Sequence, residues 1–318
     1  MKSVASAPGK VILFGEHFVV YGVKALLCSI DRRIKVTSQT IDKKMISIKS
    51  DMGHIEISTD SLSSMNKSIP ELMKPFLYIV KKTLEMFKKD IGIEIKIESE
   101  IPAGVGLGSS SACCVAAAAS ITGLFKKLPR DEILKLAIEA ERTIFKNTSG
   151  ADCSVCTFGG LMEYDIKNGF KKMNSKADFT LVIANSKQTH QTSELVENVR
   201  RFRENNEDLF ASLCDQESSL VQRALFALQK TELPTLGLLM SENQALLERI
   251  GVSTKSLALL INEAKKSSYG AKITGAGGGG CIIALTDKSN ANTTLVNLKN
   301  YCDCFAAKID YKGLLDTF

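Results

Sequence analysis

A two-lobed α+β fold is the architecture this sequence predicts, and three observations predict it. Short apolar runs rich in Ile and Val, several of them alternating with polar residues, fill the first hundred positions and read as strands. Helical periodicity dominates from Gln191 to Lys266. The change from strand-rich to helix-rich composition falls near residues 175–180, with no repeat or low-complexity linker, so the expected domains are 1–177 and 178–318 with a site between them. A chain of 318 residues has ample material for two such cores.

The elements follow in order. KVILF, ALLCSI, RIKVTSQ, KMISIKS and HIEIST are strands separated by Gly, Asp and Ser. A helix runs from about Pro75 to Lys89, with Leu77, Val80, Leu84 and Phe87 on one face. GIEIKIESE alternates, with Ile93, Ile95 and Ile97 on one side, and reads as a half-buried strand. It feeds IPAGVGLGSSSA, a glycine turn that opens a helix of small residues from Ala112 to about Leu124. A second helix starts at Arg130 after a proline and runs towards Lys146. LMEYDI and FTLVIANS are strands, and NVRRFREN and QALLERIGV carry the longest helical periodicity. GAKITGAGGGGCIIAL reads as strand, glycine loop and strand, followed by a short helix and the strand FAAKIDY.

Charge and cysteine content narrow the function classes. Forty-one Lys and Arg against 35 Asp and Glu leave a net +6, spread along the chain, which is no nucleic-acid footprint and at most suits small anions. No run approaches the roughly 18 apolar residues of a membrane helix, and MKSVASAPGK holds no secretory stretch. Nine cysteines, an odd count, then read as free thiols of a reducing cytoplasm. Cys153-x-x-Cys156 and Cys302-x-Cys304 lack the flanking turns of a zinc ribbon, and His17, His54 and His190 fall at no ligand spacing.

Three glycine-containing segments carry the chemistry. GVGLGSSSA lacks the lysine of a Walker loop, and Ser109 stands where a dinucleotide fingerprint needs its third glycine. What remains is strand, glycine turn, serines and helix: backbone that a ligand can approach closely, and a helix start with unpaired N–H groups. On these residues alone, helix capping and phosphate binding are equally good accounts. The four-glycine run in KITGAGGGGCIIAL is entropically costly unless a backbone must approach something closely. In SAPGKVILFGEHFVVYG, Glu16 and His17 close an apolar strand, where paired polar groups need a partner.

In this order and at these separations, from Ala7 to Leu285, the three segments resemble the GHMP kinase superfamily. Within it they look most like the mevalonate kinases: LFGEHFVVYG has the form those enzymes carry, without the Asp-Tyr that follows Gly-Glu-His in galactokinases. NTSGADCSVCTFGG, NSKQTHQTSELVENVR and NQALLERIGVS resemble further segments of the same family. The resemblance implies a ribosomal-S5-like N-terminal lobe, a ferredoxin-like C-terminal lobe, and ATP-dependent phosphorylation of the primary hydroxyl of mevalonate with Mg²⁺, by an enzyme that is commonly a homodimer.

Residue by residue, the resemblance implies a phosphate loop at Gly104, Val105, Gly106, Leu107, Gly108, Ser109, Ser110 and Ser111. It implies Mg²⁺ ligation by Ser110 and by Glu141, eleven residues before Asp152, a catalytic Asp152, and Lys10 paired with it. Glu16 and His17 fall where mevalonate is held, Thr274 lies beside the substrate, and Gly275, Ala276 and Gly277 begin the loop that closes over the site from the other lobe. These types suit phosphoryl transfer, which needs positioning and charge neutralisation more than covalent help. A neighbouring lysine favours an ionised aspartate, able to accept the hydroxyl proton or to orient it. The chain departs from the family pattern at Ser111, which replaces an alanine and leaves Ser109 and Ser111 as alternative ligands to Ser110. It departs also at Thr148 (for proline), Cys156 (for serine) and His190 (near an arginine).

Overall fold

The computed structural model describes residues 1–51, 53–63, 69–175, 177–188 and 192–317; His190 lies outside them. The first strand, β1 (Lys2–Phe14), is longer than KVILF: it alternates buried and half-exposed positions as far as Ala7 and is then buried on both faces through Val11. A single 3₁₀ turn (Phe18–Tyr21) leads to β2 (Ala25–Ile41), in which ALLCSI and RIKVTSQ are one continuous strand. The charges between them do not break the strand, because Asp31 accepts the Lys308 backbone N–H at 2.9 Å and Arg33 is spent on the C-terminal segment. What changes there is the neighbour: residues 25–28 of β2 pair with one strand and residues 34–41 with another.

The lobe continues with β3 (Met45–Ser50), β4 (Gly53–Ser58), α1 (Lys74–Phe87), β5 (Gly92–Ser99), α2 (Ser109–Thr122), α3 (Arg130–Glu141), α4 (Ala151–Phe158), β6 (Leu161–Asp165) and β7 (Gly169–Lys172). Its sheet runs β1-β2-β5-β3-β4, antiparallel except for the β3–β5 pair, and β6 and β7 extend it from the first part of β2. Helix α2 begins at Ser109 rather than Ala112, so all three serines lie in its first turn. It is buried almost all round against β1 and β2, which its run of alanines permits, because small side chains let the helix lie close on the sheet. Its one internal serine, Ser120, donates to the Ser3 carbonyl at 3.0 Å and lies 2.9 Å from the Ser38 hydroxyl, so no polar cost is left there. Helix α3 stops at Glu141, short of Lys146, and turns lead the chain to α4.

The second lobe comprises β8 (Thr180–Asn185), α5 (Thr192–Asn205), α6 (Glu207–Lys230), α7 (Leu233–Arg249), α8 (Lys255–Lys265), β9 (Gly270–Ile273), β10 (Cys281–Thr286), α9 (Ala291–Lys299) and β11 (Asp303–Lys308). Strand order β11-β8-β10-β9, antiparallel throughout, is the ferredoxin-like arrangement with four helices in the first crossover. The chain then returns to the first lobe: β12 (Leu315–Thr317) pairs antiparallel with Val4–Ser6 of β1. Arg33 fastens this return, donating to the Ser6 carbonyl at 2.8 Å and the Gly313 carbonyl at 2.6 Å, and pairing with Asp310.

Candidate active site

Strand β1 carries the first candidate side chain, Lys10. Its register against β2 shifts at Pro8/Gly9, and beyond that irregularity the Lys10 backbone N–H turns away from the sheet to the Leu107 carbonyl, at 2.9 Å. This bond lays the glycine turn before α2 along the lysine. Gly104, Gly106 and Gly108 have φ of 73°, 84° and 71°, a left-handed backbone that only glycine adopts without strain. Gly108 is also in contact with the lysine stem: a Cβ there would lie 2.6 Å from Lys10 Cγ. Leu107 is buried, and its carbonyl is already taken, so it holds the turn in place; Val105 is half-buried. No side chain caps the N-terminus of α2, and the serines that follow Gly108 therefore do not act as its cap.

Lys10 meets Asp152 from the opposite side. Nζ lies 3.1 Å from Oδ2, with the lysine side chain 5% exposed and the aspartate 37% exposed. Asp152 sits in the first turn of α4, another helix entered through a left-handed glycine, Gly150 at φ 78°. Helix α4 packs against α2 and α3, so the starts of α2 and α4 and the end of α3 are held as one unit. Glu141, at that end of α3, is 3% exposed. Ser111 donates a short hydrogen bond to one of its oxygens, and Thr148 donates to the other at 2.6 Å. Ser111 is buried, whereas Ser109 and Ser110 stay half-exposed. Cys114, Cys153 and Cys156 fill the apolar contact behind, and burial pushes their thiols well above the ordinary range.

The two lobes meet along one seam. Alternate residues leaving β9 face the end of β1: Lys272 pairs with Glu16, and the Thr274 hydroxyl accepts from the Ile12 N–H at 2.9 Å and donates to the Ile12 carbonyl at 3.0 Å. The Ala276 carbonyl sits 2.7 Å from His17 Nε2. Thr274 is thus committed to joining the lobes. Gly275 faces Gly106, with 3.8 Å to its Cα from a constructed Cβ, so the two glycine loops touch backbone to backbone. Gly277 packs on the Val252 carbonyl, which accepts from the Gly278 N–H at 2.7 Å. His17 itself has φ 62°, and its burial draws the imidazole pKa below the usual histidine value.

Behind Glu16 lies a polar cluster that the sequence reading does not identify. Lys272 is fully buried, and Nζ also donates to the Ile273 carbonyl at 2.6 Å. Glu217 of α6 accepts the Gly15 N–H at 2.8 Å and a short bond from the Asn243 amide; Gln244 accepts the Ile273 N–H at 2.9 Å. Burial, with the Glu16 charge nearby, raises Glu217 to about 7, against the opposing effect of Lys272. Burial raises Glu16 as well, opposed by the contact with Lys272. One signal was available: Glu217 stands on the apolar stripe of α6 among Phe210, Leu213, Leu220 and Val221, where an unpaired carboxylate is too costly to persist.

The chain is similar to known proteins along most of its length. The GHMP kinases N terminal domain matches residues 78–160, and the GHMP kinases C terminal domain matches residues 224–304. The mevalonate kinase of Pyrococcus furiosus is 36% identical over 300 residues, covering 90% of this chain and 89% of that one. That of Pyrococcus horikoshii is 37% identical over 297 residues, covering 89% and 88%. The mevalonate kinase structure from Methanococcus jannaschii superposes with a TM-score of 0.87 at 28% identity, covering 96% of this chain and 98% of that one. The L. major mevalonate kinase in complex with R-mevalonate superposes with a TM-score of 0.81 at 26% identity, covering 96% of this chain and 95% of that one.

Proposed function

The chain belongs to the mevalonate kinases of the GHMP kinase family, and from that premise we propose that it transfers the γ-phosphoryl group of ATP to the 5-hydroxyl of mevalonate, giving 5-phosphomevalonate for isoprenoid synthesis. The observation that carries the reading is the Lys10–Asp152 pair at 3.1 Å, lying against a left-handed glycine turn at an uncapped helix start. A triphosphate on that turn meets backbone N–H groups and the positive end of α2. Lys10 neutralises charge beside it and keeps Asp152 oriented. Asp152, partly open to solvent, accepts a hydrogen bond from the alcohol, aligning an oxygen lone pair on the phosphorus and receiving the proton as the bond to phosphorus forms.

The donor set suits Mg²⁺. Glu141 and Ser110 are hard oxygen ligands, and each Glu141 oxygen accepts one hydroxyl and so keeps a lone pair free. Two protein ligands suffice for a cation that keeps waters and takes the rest of its shell from phosphates. When bound, Mg²⁺ supplies charge neutralisation on the phosphates. Glu16 and His17, on the seam between the lobes, are the residues that hold mevalonate in this reading.

The test is a substrate panel with Mg-ATP: mevalonate, phosphomevalonate, homoserine and galactose. The expected result is turnover of mevalonate, with kcat/KM at least a hundredfold above the others. Preference for any other alcohol rejects the assignment.

A further inference from the structure

Three consecutive residues, Gly15, Glu16 and His17, are each held by a different part of the other lobe. The Gly15 N–H donates to Glu217 of α6, the Glu16 carboxylate is paired with Lys272 of β9, and the His17 ring is on the Ala276 carbonyl. All three contacts are buried or half-buried, and the backbone they hold is left-handed at Gly15 (φ 93°) and His17 (φ 62°). A non-glycine residue at positive φ such as His17 is costly, and the contacts from the other lobe add to the local bonds from the Phe18 N–H to the Glu16 carbonyl (2.7 Å) and from the Val19 N–H to the Gly15 carbonyl (3.0 Å). One Glu16 oxygen takes Lys272, and the other, Oε2, is buried with no partner. A carboxylate oxygen left in that state is costly unless a donor arrives to fill it.

We propose that Lys272 and Glu217 are positioning residues for the alcohol substrate: together they fix the Gly15–His17 turn from behind, so that the free oxygen of Glu16 is presented to a substrate hydroxyl. The inference rests on the reading that Glu16 lies in the alcohol subsite. Lys272 occupies Oε1 and thereby leaves Oε2 as the open acceptor. Glu217 sets the backbone from which that side chain projects, and Asn243 holds Glu217 in turn. Neither residue touches the phosphate loop, so loss of either one acts on the alcohol and spares ATP.

Glu217→Asp withdraws the carboxylate from the Gly15 N–H by one methylene and keeps the charge. Lys272→Met keeps the stem and removes the ammonium. Steady-state kinetics of both is expected to show a tenfold or greater rise in KM for mevalonate, with KM for ATP within twofold of wild type. Amide hydrogen exchange of the peptide spanning residues 13–18 reports the anchor directly: in Glu217→Asp it should exchange at least tenfold faster, while peptides of the phosphate loop are unchanged. Wild-type exchange at residues 13–18 together with wild-type mevalonate KM in Glu217→Asp overturns the proposal, as does an equal rise in KM for both substrates. If Lys272→Met does not fold, Glu217→Asp alone decides. If the wild-type enzyme ignores mevalonate, the functional reading falls, and the same variants are read against whichever alcohol it does phosphorylate.

Discussion

In the proposed reaction, turnover depends on the Asp152–Lys10 pair. Asp152→Asn keeps the shape and removes the negative charge and the base that takes the proton, so kcat should fall by about 10²–10⁴ while ATP binding, measured by calorimetry, stays within a few-fold. The three serines divide by direction. Ser111 points inward to Glu141, whereas Ser110 remains half-exposed on the first turn of α2. Ser110→Ala should therefore raise the Mg²⁺ concentration for half-maximal activity at least fivefold, and Ser111→Ala should leave it within twofold; the reverse result would exchange their roles. Two of the four departures from the family pattern, Ser111 and Thr148, converge on the same carboxylate, each supplying a hydroxyl that alanine or proline lacks. The sequence displays both substitutions but not their convergence, because residues 37 positions apart meet only once α2 and α3 have packed. Glu217 makes stability depend on pH. Its folded-state pKa, raised to about 7 by burial, exceeds the unfolded value near 4.5, so its stabilising contribution is whole below pH 4.5 and is lost as pH rises through 7. Urea midpoints should fall between pH 5 and 7.5 in the wild type and fall less in Glu217→Gln.

At the scale of elements, the glycine turn and α2 act together. Gly108 enters the helix with φ 71° and lies against the Lys10 stem, so Gly108→Ala meets both backbone strain and a side-chain clash. The strain is about 1 kcal/mol, and the clash displaces Lys10 from Asp152. The expected outcome is a kcat loss of tenfold or more with a fall of only a few degrees in melting temperature. The turn, helix α2 and the alternation of β5 were all readable as pattern, because each is specified by residues adjacent in the chain. Element ends were less so. Ser109 starts α2 because glycine, not serine, occupies the cap position. β2 runs through its charged Asp31-Arg32-Arg33 stretch because distant partners absorb charges that locally look like a break.

For the whole molecule, the two lobes were legible from composition, and the order of strands was not. Nothing near residue 315 announces that it joins a sheet begun at residue 4, since pairing is a property of the closed fold. Nor does any local signal give the seam at Lys272, Thr274 and Ala276, or the Glu217–Asn243 support behind it. Arg33 joins the C-terminal segment to the first lobe through Asp310, Ser6 and Gly313, and its partner Asp310 is largely buried. Arg33→Met strands that carboxylate, and the expected loss is about 3 kcal/mol in denaturant unfolding.

The pairing of β12 with β1 also sets an order of events at the ribosome. Residues 4–6 emerge well before the strand that covers them, residues 315–317. Through that interval the outer edge of β1 carries unpaired N–H and C=O groups, available to any other extended segment. Synthesis therefore runs with one β-edge open, and it closes in a single late step that also brings Asp310 to Arg33. A nascent chain stalled before residue 310 would hold most of its catalytic side chains and still lack the strand that keeps it from pairing with its neighbours.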